Sequence, residues 1–294
     1  MKKSILVTGS NGLVGQQVVK GLLDKGYRVI GVDIGESKVI EDNQFKYISA
    51  DLTQTMQVAR LFQENCFSHI IHLAAIAHPI RGVNISWSRY YRVNTLMSRQ
   101  IFEYASKKQI PVYFASTVEV YGVTQGKVSP ETERCPIGKY AKSKYAAENA
   151  LMEICSNSPY TIARFAPVYS DKESTDIMKR YYLRYPKLCY RIGKGIEYEF
   201  LNVKKIVENV VQWANSPRKQ IILNLYDEFP ANTRDMINEE RKNGRANFVI
   251  QVPMWMIKCL HFGVNTFFGK RSYKAFMISK LITPITFERE YNGL

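Results

Sequence analysis

A doubly wound α/β fold, with one parallel sheet flanked by helices and followed by a smaller C-terminal domain, is predicted by three observations. Short β-rich apolar runs alternate with longer segments of helical spacing as far as Ala166. A glycine-rich turn, TGSNGLVG from Thr8 to Gly15, joins the first run to the first helical segment. Beyond Ala166 the pattern becomes irregular, tyrosine-rich and interrupted by proline (YYLRYPKLCY, DEFPANTRD). Strands are expected at 4–7, 28–32, 45–48, 69–73, 112–115 and 160–164, and helices over 15–25, 54–65, 93–108 and 140–155.

Taken in order, the first strand runs straight into the glycine turn. Gly9 permits a tight reversal, Gly12 lets the main chain approach a pyrophosphate, and Gly15 lets the helix pack closely. The helix N-terminus behind them offers free amides and a positive dipole, and Asn11, Leu13 and Val14 complete the dinucleotide-binding turn. This strand, turn and helix are those of a Rossmann-type domain. The second strand ends at Asp33, about 20 residues further on, where a carboxylate accepts hydrogen bonds from ribose hydroxyls and repels a 2′-phosphate. NAD is therefore the expected cofactor, with Lys38 the nearby cation that argues for NADP. After the third strand Asp51 and Leu52 are expected to flank the adenine. After the fourth, Leu73, Ala74 and Ala75 leave room for the cofactor backbone, although such apolar residues also read as strand-end packing.

The fifth strand ends in two hydroxyls, Ser116 and Thr117, and the helical segment after it carries Tyr140 four residues before Lys144. That spacing stacks phenol and ammonium on one helix face. A tyrosine is a poor base at its ordinary pKa of about 10, so it needs a cation that favours the phenolate. Lys144 and a nicotinamide ring both qualify, and Thr117, or Ser116 beside it, is placed to hydrogen-bond a substrate oxygen. A dinucleotide and a proton-transfer group side by side imply hydride chemistry on a carbinol or ketone. The expected division is an NAD-binding domain at 1–166, with a return of chain near 198–216, and a mainly substrate-binding domain at 167–294.

TGSNGLVG, FASTVEVYG from Phe114 to Gly122 and YAKSKYAAE from Tyr140 to Glu148 together resemble the extended short-chain dehydrogenase/reductase family, in its NAD-dependent epimerase/dehydratase branch acting on nucleotide sugars. The resemblance is close over about 1–170 and loose thereafter. It implies that Thr117 is the catalytic hydroxyl, Tyr140 the base, and Lys144 the residue that binds nicotinamide ribose and lowers the tyrosine pKa, with Asn94 near the active site. It also implies a sugar C4 oxidised to a 4-keto intermediate, and a homodimer formed by the helices at 93–108 and 140–155.

Departures from the family pattern narrow the reaction. Family dehydratases carry an acid directly after the catalytic threonine, where this chain has Val118, which cannot donate a proton. Glu119 then reads either as a base for C5 chemistry or decarboxylation, or as a structural carboxylate. In RFAPVYS, Pro167 and Ser170 replace residues that in the family include a diphosphate-binding asparagine, and GIEYEFLNVKK offers Tyr198, Lys204 and Lys205 in place of an arginine and an acidic pair. Phosphate contacts are then expected from Arg180, Arg184 or Arg191. A 4-epimerase is the leading reading. A 4-ketoreductase, a dehydratase-like enzyme and a non-catalytic dinucleotide-binding protein of the same fold are the alternatives.

Charge and composition bound the rest. The chain has 294 residues, 41 Lys and Arg against 26 Asp and Glu, and a formal charge of +15, which favours anionic partners such as a nucleotide-diphosphate sugar. No helix presents a basic stripe interleaved with aromatics, so nucleic-acid binding is not expected. The five cysteines are scattered without CxxC pairs, so neither a disulfide framework nor a metal site is predicted. Two lysines lead directly into SILVTG, too short an apolar run for a signal peptide, and a cytoplasmic location is expected. The apolar stretch 248–269 contains Pro253, Lys258 and His261, which break a membrane span. A helix starting at Pro253 gathers Lys258, His261 and Asn265 into a narrow polar stripe beside a broad apolar remainder. It is expected to pack on the substrate domain or at a subunit interface, with weak membrane-surface contact through 253–280 as the alternative.

Overall fold

The computed structural model describes residues 4–38, 42–77, 84–124, 126–170, 175–183, 188–217, 220–269 and 272–289. At its centre lies a 7-stranded sheet of β1 (Ser4–Thr8), β2 (Val29–Asp33), β3 (Phe45–Ser49), β4 (Phe67–His72), β5 (Val112–Thr117), β6 (Tyr160–Phe165) and β7 (Ile221–Leu225). Their spatial order is β7-β6-β5-β4-β1-β2-β3, and every pair is parallel. The order reverses between β1 and β4, which opens a crevice at the carboxyl edge where such sheets take ligands.

Period-two alternation in β1 explains how both faces are covered. Ile5 and Val7 point into one core with α1 (Leu13–Asp24) and α5 (Val203–Asn215), whereas Leu6 points into the other with α2 (Thr55–Glu64), α3 (Met97–Lys107) and α4 (Lys139–Ile154). The first core is closed by Val18, Ile206, Val210 and Trp213, the second by Phe62, Phe102 and Leu151. Gly26 stops α1 at a φ of 77°, with the Gly26 N–H donating to the Leu23 carbonyl and the Tyr27 N–H to the Leu22 carbonyl.

Three features go beyond the sequence pattern. The helix expected from Val93 begins earlier, at Trp87–Tyr90, and passes through a π-helical segment, Tyr91–Leu96, before α3. The chain returns to the sheet not only as helix α5 but also as strand β7, so the return runs past 216 to Leu225. The irregular region has its own small core of Tyr181, Cys189, Ile237 and Ala246, built on the parallel pair Leu188–Ile192 and Phe248–Val252 and on α6 (Thr233–Lys242).

The last two helices, α7 (Met254–Phe268) and α8 (Tyr273–Ile282), pack on each other. None of the residues of α7 is buried within the chain, so the substrate domain does not enclose it, whereas a place at a subunit interface is compatible with that exposure. α8 buries Ala275, Phe276 and Ser279, and the strand after it, Thr286–Phe287, pairs with Lys127–Val128 beside the main sheet. Among the described residues no helix is long and apolar enough to cross a membrane.

Candidate active site

The glycine turn sits at the β1/β4 crevice. Gly9 adopts a φ of 72°, and a Cβ there would lie 2.8 Å from the Ala74 nitrogen, so only glycine lets the turn nest against the end of β4. A Cβ on Gly15 would fall 2.0 Å from the Gly9 carbonyl oxygen, whereas one on Gly12 would meet only that oxygen, at 3.3 Å. Gly12 is therefore the open side of the turn. It is also the N-cap of α1, with no side chain capping the helix and no acid in its first turn, so no side chain of the helix itself competes for the amides at Leu13 and Val14.

Asp33 ends β2 and holds the turn directly. One carboxylate oxygen accepts from the Asn11 N–H at 2.9 Å and the other from the Ile34 N–H at 2.8 Å. The Asn11 side chain in turn staples the segment after β2, donating to the Glu36 carbonyl and accepting from the Lys38 N–H, both at 2.9 Å. Lys38 is thus held by its main chain close to Asp33. Asp51 turns toward its own loop and accepts from the Thr53 N–H and hydroxyl. Burial pushes its pKa up, but the bonds from Thr53 and Gln54 outweigh that and leave it below the ordinary value.

The Leu52 side chain is 4% exposed in the core with Val32 and Val58, which leaves its main chain as the part facing an adenine. Leu73 and Ala74 are half-buried along the crevice, with Leu73 donating its N–H to the Thr8 carbonyl, and Ala75 is exposed.

At the other end of the crevice α4 brings up Tyr140, half-buried, and Lys144, 2% exposed. The Lys144 ammonium lies 4.0 Å from the centre of the Phe114 ring on β5. Burial pushes its pKa down to about 7, against the pull of Glu148 one turn later. Thr117 ends β5, with its hydroxyl oxygen accepting from the Glu119 N–H at 3.2 Å, which leaves its own proton free to be donated. Ser116, the alternative hydroxyl, donates instead to Glu148 and is committed to the interior.

Behind these groups lies a polar scaffold that sequence reasoning reached only in part. Asn94, fully buried on the π segment, donates to the Ile76 carbonyl and to the Ser143 hydroxyl, and accepts from the Ile76 N–H. It thereby ties the loop after β4 to the residue preceding Lys144. His72 was missed. It is fully buried between Thr8 at 2.7 Å from Nδ1 and Ser98 at 2.8 Å from Nε2.

Proton bookkeeping assigns the His72 tautomer. Ser98 gives its single proton to the Asn94 carbonyl, so His72 Nε2 donates to Ser98, and Nδ1 accepts from Thr8. Burial, with Lys144 adding repulsion, pushes the His72 pKa down to about 3. A second buried network joins Arg164 to both Glu148 oxygens at 3.1 and 2.9 Å and adds Arg134 at 2.9 Å, fixing α4 against β6. No single-residue signal marks His72 or Glu148, since both act through partners far away in sequence.

A cleft opens beside the hydroxyl end of β5, lined by Glu119, Pro167, Arg180, Tyr198, Glu199 and Lys280. Glu119 is ion-paired with Lys280 of α8. This is a structural partner, although a distant cation rather than nearby backbone. Arg180 lies 4.8 Å from the centre of the Tyr198 ring, whose pKa is raised to about 12 by burial, with Arg180 opposing the rise. Lys204 and Lys205 stand in the first turn of α5, and Arg191 lies on Leu188–Ile192; none of the three lines the cleft. Arg184 lies outside the described residues.

The model of the NAD dependent epimerase/dehydratase family matches residues 5–221. The chain belongs to that family. Similar members include an uncharacterized UDP-glucose epimerase of Bacillus subtilis, 32% identical over 59% of this chain and 59% of its own length. A UDP-arabinose 4-epimerase of Arabidopsis thaliana is 28% identical over 54% of this chain and 41% of its own length. The chain spans about half the length of the curated relatives it matches. Among solved structures, the UDP-Glc/GlcNAc 4-epimerase of Campylobacter jejuni superposes with a TM-score of 0.73 at 20% identity, covering 86% of this chain and 87% of that one. The UDP-glucuronic acid 4-epimerase of Bacillus cereus, solved in complex with NAD, superposes with a TM-score of 0.69 at 20% identity, covering 85% and 87%. At such identities the likeness is one of fold, and it extends the epimerase/dehydratase architecture beyond residue 221.

Proposed function

We propose that the protein is an NAD-dependent 4-epimerase of a nucleotide-diphosphate sugar, working through a 4-keto intermediate with Tyr140 as the acid and base. One observation supports the reading: α4, which carries Tyr140 and Lys144, packs on the end of β5 that carries Thr117, with Lys144 over Phe114 and Glu148 bonded to Ser116, and the same sheet edge holds an uncapped helix behind an open glycine turn. The turn fits the cofactor, since Gly12 is open, α1 has neither a side-chain cap nor a first-turn acid to compete with a pyrophosphate, and Asp33 ends β2 where a carboxylate would meet the ribose. Bound there, NAD supplies reversible hydride transfer.

The chain's own residues supply the rest. Tyr140 takes the proton of the C4 hydroxyl and returns it after the ketone has turned its other face. Thr117 donates to the same oxygen and steadies its negative charge. Lys144, with its ammonium over Phe114, favours the phenolate and, as the family resemblance implies, holds the nicotinamide ribose. Asn94 and Ser143 fix the turn of α4 on which these groups stand. The cleft provides a place for the sugar nucleotide, with Arg180 as the cation for its diphosphate. The relatives named for UDP-glucose and UDP-arabinose make uridine diphosphate sugars the first substrates to offer. A homodimer through α3 and α4 belongs to the same proposal, and sedimentation velocity measures it.

The deciding experiment incubates the purified protein with UDP-glucose and UDP-arabinose, without added nicotinamide, and follows the C4 epimers by proton NMR. Interconversion supported by cofactor that co-purifies is the expected result. Product formed only in proportion to reduced nicotinamide consumed overturns the epimerase reading in favour of a 4-ketoreductase.

A further inference from the structure

We propose that α7 and α8 form a surface that docks on an anionic lipid bilayer. α7 is turned inside out for a helix in water. Trp255 is 65% exposed, Phe262 74% and Phe267 86%, and Met256, Leu260 and Phe268 are exposed beside them. Its polar residues His261 and Asn265 are half-buried on the protein side, 3.4 Å apart. Phe248 and Ile250 of the strand before α7 and Tyr273 and Met277 of α8 are exposed as well. An apolar surface of this extent requires a covering.

Charge identifies the covering. From Ala246 to Phe287 the sequence contains Lys258, Lys270, Arg271, Lys274 and Lys280 and neither an aspartate nor a glutamate, in a chain of net charge +15. Lys258 is exposed on α7 itself, and the Lys274 ammonium lies 3.9 Å from the centre of the Phe268 ring, so cations border the apolar face. Aromatic and aliphatic residues rimmed by lysine, with no acidic residue, match the boundary between acyl chains and anionic headgroups. A second copy of this chain fits poorly, because two-fold pairing would bring together two faces that both carry lysine and no acidic residue. At 15 residues α7 extends about 22 Å, short of the roughly 30 Å of a bilayer core, so it lies in the interface rather than across it.

Co-sedimentation of the full chain with phosphatidylcholine vesicles, with and without phosphatidylglycerol, tests the assignment. Binding is expected to the anionic vesicles, to weaken as salt rises, and to fall by about tenfold or more in the double variant Trp255→Ser, Phe262→Ser. Far-ultraviolet circular dichroism of the variant checks that the fold is kept, and Lys258→Gln with Lys274→Gln gives an independent, fully folded test of the charge contribution. Failure of the wild type to sediment with anionic vesicles overturns the proposal, as does equal binding to neutral ones. A wild-type dimer that the aromatic substitutions break into monomers without lipid overturns it too, and assigns the face to a second copy.

Discussion

At the scale of single residues, the chemistry assigned to α4 depends on one hydroxyl. Tyr140→Phe keeps the ring and its packing near Tyr90, whose centre is 6.4 Å away, and removes only the proton-transfer group. Epimerisation is expected to fall about 10²–10⁴-fold while cofactor still co-purifies, as measured by NMR turnover and by absorbance of the released dinucleotide. His72 makes a separate prediction about pH. Its folded pKa, about 3, lies below the ordinary 6.5, so between those values the unfolded chain holds a proton that the folded chain excludes. Stability therefore falls as pH drops through that window, with a slope approaching about 1.4 kcal/mol per pH unit for this one group. His72→Asn retains a donor and an acceptor but cannot titrate. Urea midpoints of the two proteins, compared from pH 7 to pH 4, are expected to converge toward acid.

Among the elements, the π segment Tyr91–Leu96 has the clearest consequence. Insertion of a wider turn rotates Asn94 and Thr95 into the interior, where Asn94 bonds the Ile76 backbone and Ser143 and the Thr95 hydroxyl donates to the Ser143 carbonyl. Two residues of one helix thus hold both the loop after β4 and the helix that carries Tyr140 and Lys144. Asn94→Ala strips the Ile76 amide and carbonyl of their partner. A loss of about 1–3 kcal/mol is expected in chemical denaturation, together with weaker retention of NAD on purification, since the Ile76 loop borders the crevice.

Across the whole molecule, the contact between Lys280 and Glu119 joins α8 to the carboxyl end of β5 over 161 positions of sequence. Without that cation the Glu119 carboxylate would stand unpaired in the cleft proposed to take the diphosphate. Lys280→Met is accordingly expected to raise KM for the sugar nucleotide about tenfold while changing kcat less, because like-charge repulsion opposes binding rather than chemistry. Adding Glu119→Gln removes the repelling charge, and recovery of KM in the double variant distinguishes this from a loss of folding.

Local rules were enough to read the strand, glycine turn and helix at 4–24, the acid ending β2, and the Tyr140 and Lys144 spacing, because each depends on neighbours within a few positions of chain. The sheet order, the π segment and the return of Ile221–Leu225 to the sheet edge depend on pairings between distant segments and became visible only when the chain was folded. So did the fate of single side chains. The Leu52 side chain joined the core, Glu119 found a cation on the far helix, and His72 was locked neutral between Thr8 and Ser98. The inside-out orientation of α7 was decided last of all, since periodicity reveals that a helix has an apolar face, while only the packing of its neighbours determines which face is left to the outside.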